Sequence, residues 1–158
     1  LSDTRKSVDG HRGAITASIS WFVPKPHTPM QWSPMQRAEY FWGVRDRLRN
    51  LSHRSTITVK FHRIEQSLLE GLLCRGGREV GRTILTAWNK GARMDSWSEH
   101  WRWETWKEAI TETGLDFDAM VHTEFLVNTP LPWSHIQGPL DEDFLLRQRK
   151  EMLEALHN

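Results

Sequence analysis

The chain has 158 residues, 38% of them apolar, with 21 Lys and Arg against 20 Asp and Glu for a formal net charge of +1. That length allows a domain with a buried core, the near-neutral charge gives no global electrostatic footprint for nucleic acid, and no run of about 18 apolar residues exists to span a bilayer. A cytoplasmic chain with no membrane partner is therefore expected.

Residues 1–13 are polar and punctuated by glycine, and read as a linker, disordered start or surface loop. From Ala14 the pattern changes: Ile15, Ala17, Ile19, Trp21 and Val23 alternate with Thr16, Ser18, Ser20 and Phe22, the period-2 signal of a strand that stops at Pro24. Pro24-Lys25-Pro26-His27-Thr28-Pro29 must be a stiff loop, because each proline fixes φ and removes a backbone donor. Ser33, Pro34 and Gln36 predict a helix starting at about Pro34 and ending near Asn50, with Phe41, Val44, Leu48 and Leu51 at helical spacing and Arg37, Arg45 and Arg49 elsewhere on it. Ile57, Val59 and Phe61 against Thr56, Thr58, Lys60 and His62 predict a second strand. Strand, helix and strand so close in sequence make a βαβ unit with parallel strands. Since two strands cannot make a stable parallel sheet alone, partner strands are expected N-terminal to Leu1, and the initial Leu in place of Met fits a piece of a longer protein.

Beyond His62 the chain reads as helical. Leu68, Leu69, Leu72 and Leu73 form one stripe up to Gly76-Gly77, and Val80, Ile84, Ala87 and Trp88 form another up to Gly91. Ser96 with Glu99 predicts a capping box before Trp103, Trp106 and Ile110, with Gly114 as C-cap. Asp116 predicts a short helix through Met120. After an irregular Pro130–Pro139 stretch, Asp141, Glu142 and Asp143 open a last helix carrying Leu145, Met152 and Leu156. The fold class is α/β: residues 14–63 hold the βαβ unit and residues 64–158 a mainly helical C-terminal region.

Both strand ends carry candidate binding groups, Lys25 and His27 after the first, Lys60 and His62 after the second, where parallel α/β sheets gather their ligands. The alternative is that the lysines are solvated and the histidines pack against loops. Arg75-Gly76-Gly77-Arg78 offers either an anion cradle or an ordinary helix-helix turn, and it is not a P-loop, since GxxxxGK(S/T) is absent. Asp95, Glu99 and His100 offer metal-ligand chemistry without the helical zinc spacing, so a capped helix start with packed tryptophans is the competing reading. Cys74 is the single cysteine, which excludes an internal disulfide and a zinc site built from several thiolates of this chain, and it reads as a small buried hydrophobe. His122 and His135 carry no spacing signal. Nine Trp against one Tyr imply a well-filled core or stacking and interface surfaces.

Ser20-Trp21-Phe22-Val23-Pro24-Lys25-Pro26-His27-Thr28-Pro29-Met30-Gln31-Trp32 resembles the segment FVPKPHTPFQW of a family of radical S-adenosylmethionine (radical SAM) proteins that often carry an N-terminal B12-binding-like domain. Further strings agree in order and spacing: Lys60-Phe61-His62 with Ser67–Gly71 and Arg75-Gly76, then Ala87-Trp88 with Gly91 and Trp97–His100, then Leu131–Ile136 with Phe144-Leu145-Leu146. The resemblance implies the last strands of a partial parallel β/α barrel, a helical C-terminal region, and, in the full-length family, S-adenosylmethionine and a 4Fe-4S cluster held by a CxxxCxxC motif. That motif is absent here, so no cofactor is expected on this chain alone, and the missing N-terminal barrel becomes its partner. Val23, Pro24, Lys25, His27 and His62 fall at the rim, as candidate cofactor-binding residues.

The first functional expectation is thus a fragment of a radical SAM enzyme of unassigned reaction, inactive alone. The alternative is a Trp-rich helical module binding a protein, or RNA through Arg75, Arg78, Arg82 and Arg93, against which the near-neutral charge weighs. A small hydrolase using His62 or His100 lacks a nucleophile or carboxylate at a recognisable spacing.

Overall fold

The structure, a computed structural model, describes residues 2–11, 13–52 and 57–156. The elements in chain order are α1 (Ser2–Asp9), β1 (Ile15–Ile19), α2 (Ala38–Ser52), β2 (Ile57–Phe61), α3 (Ile64–Arg75), α4 (Val80–Asn89), α5 (Trp103–Thr113), α6 (Phe117–His122) and α7 (Glu142–Leu156). The chain is α/β and mostly helical. It forms two compact units, one of Leu1–Phe22 with Gln36–Ser67, the other of Val23–Met35 with Leu68–Asn158.

The first unit contains the βαβ element. β1 and β2 pair in parallel, Ile15 opposite Ile57 through Ile19 opposite Phe61, with α2 between them in sequence and packed on β2. The strand alternation is real, since Ile15, Ala17 and Ile19 are half-buried while Thr16 and Ser18 are exposed. β1 nevertheless ends at Ile19, short of the expected Val23. The cause is a side chain: His62 N–H donates to Ile19 O (3.0 Å), and the His62 carbonyl then accepts from the Trp21 indole (2.9 Å), so a further strand bond is replaced by Trp21 Nε1. Trp21 is buried and packs on Phe41 and Phe61, with ring centroids 5.0 and 5.9 Å away. Thr56, expected in β2, lies outside the described residues.

Two other expectations are corrected in this region. Residues 2–9 form a helix instead of a loop, held by Arg5 Nε to Asp9 Oδ2 (3.0 Å) and Ser7 Oγ to Thr4 O (2.7 Å); an exposed helix sustained by an i,i+4 ion pair has no apolar stripe to announce it. α2 starts at Ala38, not Pro34. In the second unit the Met35 backbone is committed elsewhere, its N–H to Val121 O (2.9 Å) and its carbonyl to His122 Nδ1 (2.8 Å), which keeps Pro34 and Met35 out of the helix.

The second unit is helical around two packed regions. Trp32, Leu131, Trp133 and Leu145 form a buried cluster with Phe125 and Leu146 against it. Trp32 Nε1 is buried there without a hydrogen-bond partner, a desolvation cost of about 1–3 kcal/mol that the surrounding apolar burial offsets. α4 packs on α5, with Thr83 Oγ1 and Thr113 Oγ1 2.8 Å apart inside the contact. The buried face of α4 is Val80, Thr83 and Ala87, whereas Ile84 and Trp88, expected on the core stripe, are about half exposed. Leu73 likewise points outward from α3. The expected Ser96–Glu99 capping box is absent: α5 starts after Arg102, which makes no side-chain cap, and Ser96 and Glu99 lie in the preceding turns.

Gly114 caps α5 in the left-handed region (φ 65°), and Asp116 caps α6 by accepting from Ala119 N (2.9 Å). Asp141 does the same before α7, accepting from Phe144 N (2.6 Å). Among the described residues no helix is long and apolar enough to cross a membrane. A Gly114→Ala substitution places a Cβ on left-handed backbone and is expected to lower the stability of the chain by about 1 kcal/mol, read as a drop in urea midpoint; an unchanged midpoint refutes the role of this cap.

Candidate functional site

The proline loop, residues 23–35, belongs to the helical unit and is fixed from within. Thr28 Oγ1 donates to Lys25 O (2.8 Å), Gln31 N to Thr28 O (3.0 Å), and the Gln31 side-chain oxygen accepts from His27 N (2.9 Å). His27 sits at φ 57°, left-handed backbone that a non-glycine residue holds only when its surroundings over-determine it. Gln31 is buried, and its oxygen also accepts from Trp133 Nε1 (2.9 Å), which ties the loop to the Leu131–Ile136 string.

Arg75 fastens the same loop from α3. Its side chain is 1% exposed and donates to backbone carbonyls on two segments: Nε to Met120 O (2.8 Å), Nη2 to Thr123 O (2.5 Å), and Nη1 to Gln31 O (3.4 Å) and Ser33 O (2.5 Å). Its Cζ lies 4.0 Å from the Phe125 ring centroid. Burial pulls its pKa down to about 10, so the group remains cationic at neutral pH. The planar fork of five donors suits this task, since no other side chain can reach four carbonyls at once. The anion-cradle reading of Arg75-Gly76-Gly77-Arg78 is thereby corrected. The Gly77 N–H is taken by Glu79 Oε1 (2.9 Å), and a Cβ at Gly76 would collide with Val80, so these glycines serve a tight turn between α3 and α4.

Lys25 forms an ion pair with Glu70, and its Nζ lies 3.4 Å from Cys74 Sγ. Cys74 is half-buried beside this cation and not enclosed in the apolar core. Partial burial works to lower the Lys25 pKa, but the Glu70 hydrogen bond and the Cys74 sulfur outweigh it and hold the ammonium above the ordinary 10.5. Val23 is half-buried and Pro24 fully buried, which makes them packing residues of the loop.

The His27 side chain, which makes no hydrogen bond among the described residues, lines an open cavity of about 380 Å³ with Gln31, Trp133, Ser134, Gly138 and Asp141. Gly138 is required there, because a Cβ would come within 2.6 Å of His27 Nδ1. His62 lies in the other unit, exposed, beside Lys60 at the end of β2, where it lines a separate open cavity of about 200 Å³ with Arg45, Arg49 and Arg63. No spacing signal pointed to Gln31, Trp133 or Arg63. Arg45 and Arg49 stand at i and i+4 on α2, a signal that a charge-by-face reading of that helix could have used.

The remaining candidates have structural duties or none. Asp95 Oδ2 accepts from Trp106 Nε1 (3.3 Å), and no group of three or more His, Cys, Asp or Glu side chains is placed to hold a metal among the described residues. Arg93 stacks on Trp88 and donates to the Trp88 and Ala92 carbonyls, Arg78 and Arg82 are exposed, and His122 holds Met35 O. Trp21, Trp32, Trp101, Trp106 and Trp133 are buried, while Trp42, Trp88 and Trp97 are exposed, so the tryptophans serve core and surface alike. No family model, curated protein or solved structure matches this chain.

Two outcomes test this arrangement. Arg75→Met leaves four carbonyls, those of Gln31 and Ser33 buried, without their donor and is expected to cost at least about 3 kcal/mol; should it fail to fold, Arg75→Lys, which keeps the charge but not the fork, is expected to fold with a clearly lowered urea midpoint, and a midpoint equal to the parent refutes the fork's role. The Lys25 pKa is raised on folding, so its contribution is present below the unfolded value of 10.5 and lost as pH climbs through the raised value. Urea midpoints at about pH 9 and about pH 11 should therefore fall further for the parent than for Glu70→Gln, and equal falls refute the pairing.

Proposed function

We propose that this chain is the C-terminal portion of a radical SAM protein, contributing the last strands of a partial parallel β/α barrel and the helical region that follows them in sequence. The observation that carries this reading is the physical joining of the strings that resemble the family. The Val23–Trp32 loop is tied to the Glu70–Gly76 string by the Lys25–Glu70 pair and by Arg75, and to the Leu131–Ile136 string by Gln31 and Trp133. Strings far apart in sequence that share one set of bonds are those a family would keep together. The parallel β1–α2–β2 unit, whose two strands are the whole sheet among the described residues, suits a barrel segment that takes further strands.

A 4Fe-4S cluster of the family's kind takes three cysteine thiolates, and this chain has only Cys74, so its residues do not fit the cluster. On this reading the cluster and the reductive cleavage of S-adenosylmethionine reside in an N-terminal barrel portion that is this chain's partner, in the cytoplasm. Lys25, His27 and His62, with Val23 and Pro24 behind them, are the rim groups it would contribute. The His27 ring, without a hydrogen bond among the described residues and beside its cavity, is the best placed of these to contact cofactor or substrate. The reading as an interaction module is favoured by one observation, the exposure of Leu85, Trp88, Met94 and Trp97.

The expected result is a CxxxCxxC motif in the reading frame upstream of Leu1. The full-length product, reconstituted anaerobically with iron and sulfide, should show 4Fe-4S absorbance, and the 158-residue chain treated alike should show none. A full-length product with neither motif nor cluster, or a stable cluster on the monomeric chain, overturns the proposal.

A further inference from the structure

Charge is divided unevenly along the chain. The βαβ unit carries ten Lys and Arg against five Asp and Glu, and the helical unit eleven against fifteen, so the near-neutral total conceals a basic unit and an acidic one. Within the basic unit, an open cavity of about 200 Å³ lies where the end of β2 meets α2 and the start of α3. Trp42, Arg45 and Arg49 reach it from successive turns of α2, and His62, Arg63 and Glu65 from the β2–α3 junction.

The positions of these groups are set by bonds that leave their side chains available. The His62 backbone is pinned on both sides, to Ile19 O and to Trp21 Nε1, while its ring makes no hydrogen bond among the described residues. The Arg49 guanidinium lies 5.5 Å from the Phe61 ring centroid and, like that of Arg63, has no carboxylate partner among the described residues. Arg45 Nε is 3.2 Å from Asp46 Oδ1, a side chain outside the cavity lining. Among the described residues Glu65 is the single carboxylate in that lining, against three guanidiniums. Guanidiniums gathered about one cavity repel one another unless a counter-charge lies among them, and no ion pair among the described residues explains the gathering of Arg49 and Arg63.

We propose that this cavity is a binding site for a phosphate monoester or inorganic phosphate. The phosphoryl group carries close to two negative charges and three acceptor oxygens, which match guanidinium donors approaching from two elements better than the two oxygens of a carboxylate do. The volume accepts a phosphoryl group and the few atoms it is esterified to, with Trp42 at the wall. The proposal stands on the βαβ unit alone and does not depend on the radical SAM reading.

The test is a titration of the 158-residue chain with inorganic phosphate and, separately, glycerol phosphate, followed by backbone amide NMR. Expected are saturable shifts at His62, Arg63 and Glu65 at millimolar ligand, with none from chloride at matched ionic strength. A lower saturating concentration for glycerol phosphate identifies an ester as the ligand, and equal concentrations identify free phosphate. Arg63→Gln should weaken binding about tenfold, and Glu65→Gln should strengthen it severalfold. Opposite signs from two neighbouring, accessible side chains are not produced by a general loss of fold. Absence of saturable shifts, or both substitutions moving affinity in the same direction, overturns the site.

Discussion

The helical unit depends on one buried cation. Arg75, at the last turn of α3, gives its donors to carbonyls of the proline loop at Gln31 and Ser33 and to carbonyls at Met120 and Thr123 around the end of α6. Loops and helix ends leave carbonyls that no regular ladder satisfies, and burying them unpaired is costly. One guanidinium removes that cost for both segments. A buried charge is tolerable only when every direction around it is polar or π-rich, and the four carbonyls and the Phe125 face supply that environment.

The loop held in this way has little freedom left. Four prolines restrict φ, Gln31 bridges His27 N and Trp133 Nε1, and Gly71 allows close approach, since a Cβ there would lie 2.7 Å from Met35 Sδ. A left-handed His27 persists because the hydrogen bonds around it fix the backbone on both sides. Such a loop presents side chains without entropy still to lose on binding, a property that suits a rim contributed to a larger site.

The βαβ unit solves a different problem with the same economy of groups. Trp21 fills the space between α2 and the sheet and uses its indole N–H to close the end of the ladder at His62. An aromatic with a polar handle can do both, which Phe22 next to it, 46% exposed, cannot. The same junction presents Arg49, Arg63 and His62 to solvent at the carboxyl end of a parallel strand, the position where open α/β sheets carry their ligands.

By itself the sequence determined the elements whose signals are local. The alternation in β1, the parallel pairing of β1 and β2 through α2, the Gly114 and Asp116 caps and the opening of α7 at Asp141 all follow from periodicity and capping chemistry acting over a few residues, whereas Ile57 at the start of β2 is exposed against its apolar pattern. Tertiary structure decided what depends on distant partners. The Ser33-Pro34 signal could not start a helix because Val121 and His122 hold the Met35 backbone. Ser96 and Glu99 do not cap α5 because they lie in the turns before it. Ile84 and Trp88 do not face the core, because Thr83 pairs with Thr113 and turns another face inward. The site was legible to the same degree: Lys25, His27 and His62 were placed at element ends by sequence, whereas Gln31, Trp133 and Arg63 carry no spacing signal. By sequence Arg75-Gly76-Gly77-Arg78 left an anion cradle open beside a helix-helix turn for the same reason, since a side chain that recognises oxygen atoms reads identically whether they belong to a ligand or to the backbone of its own chain.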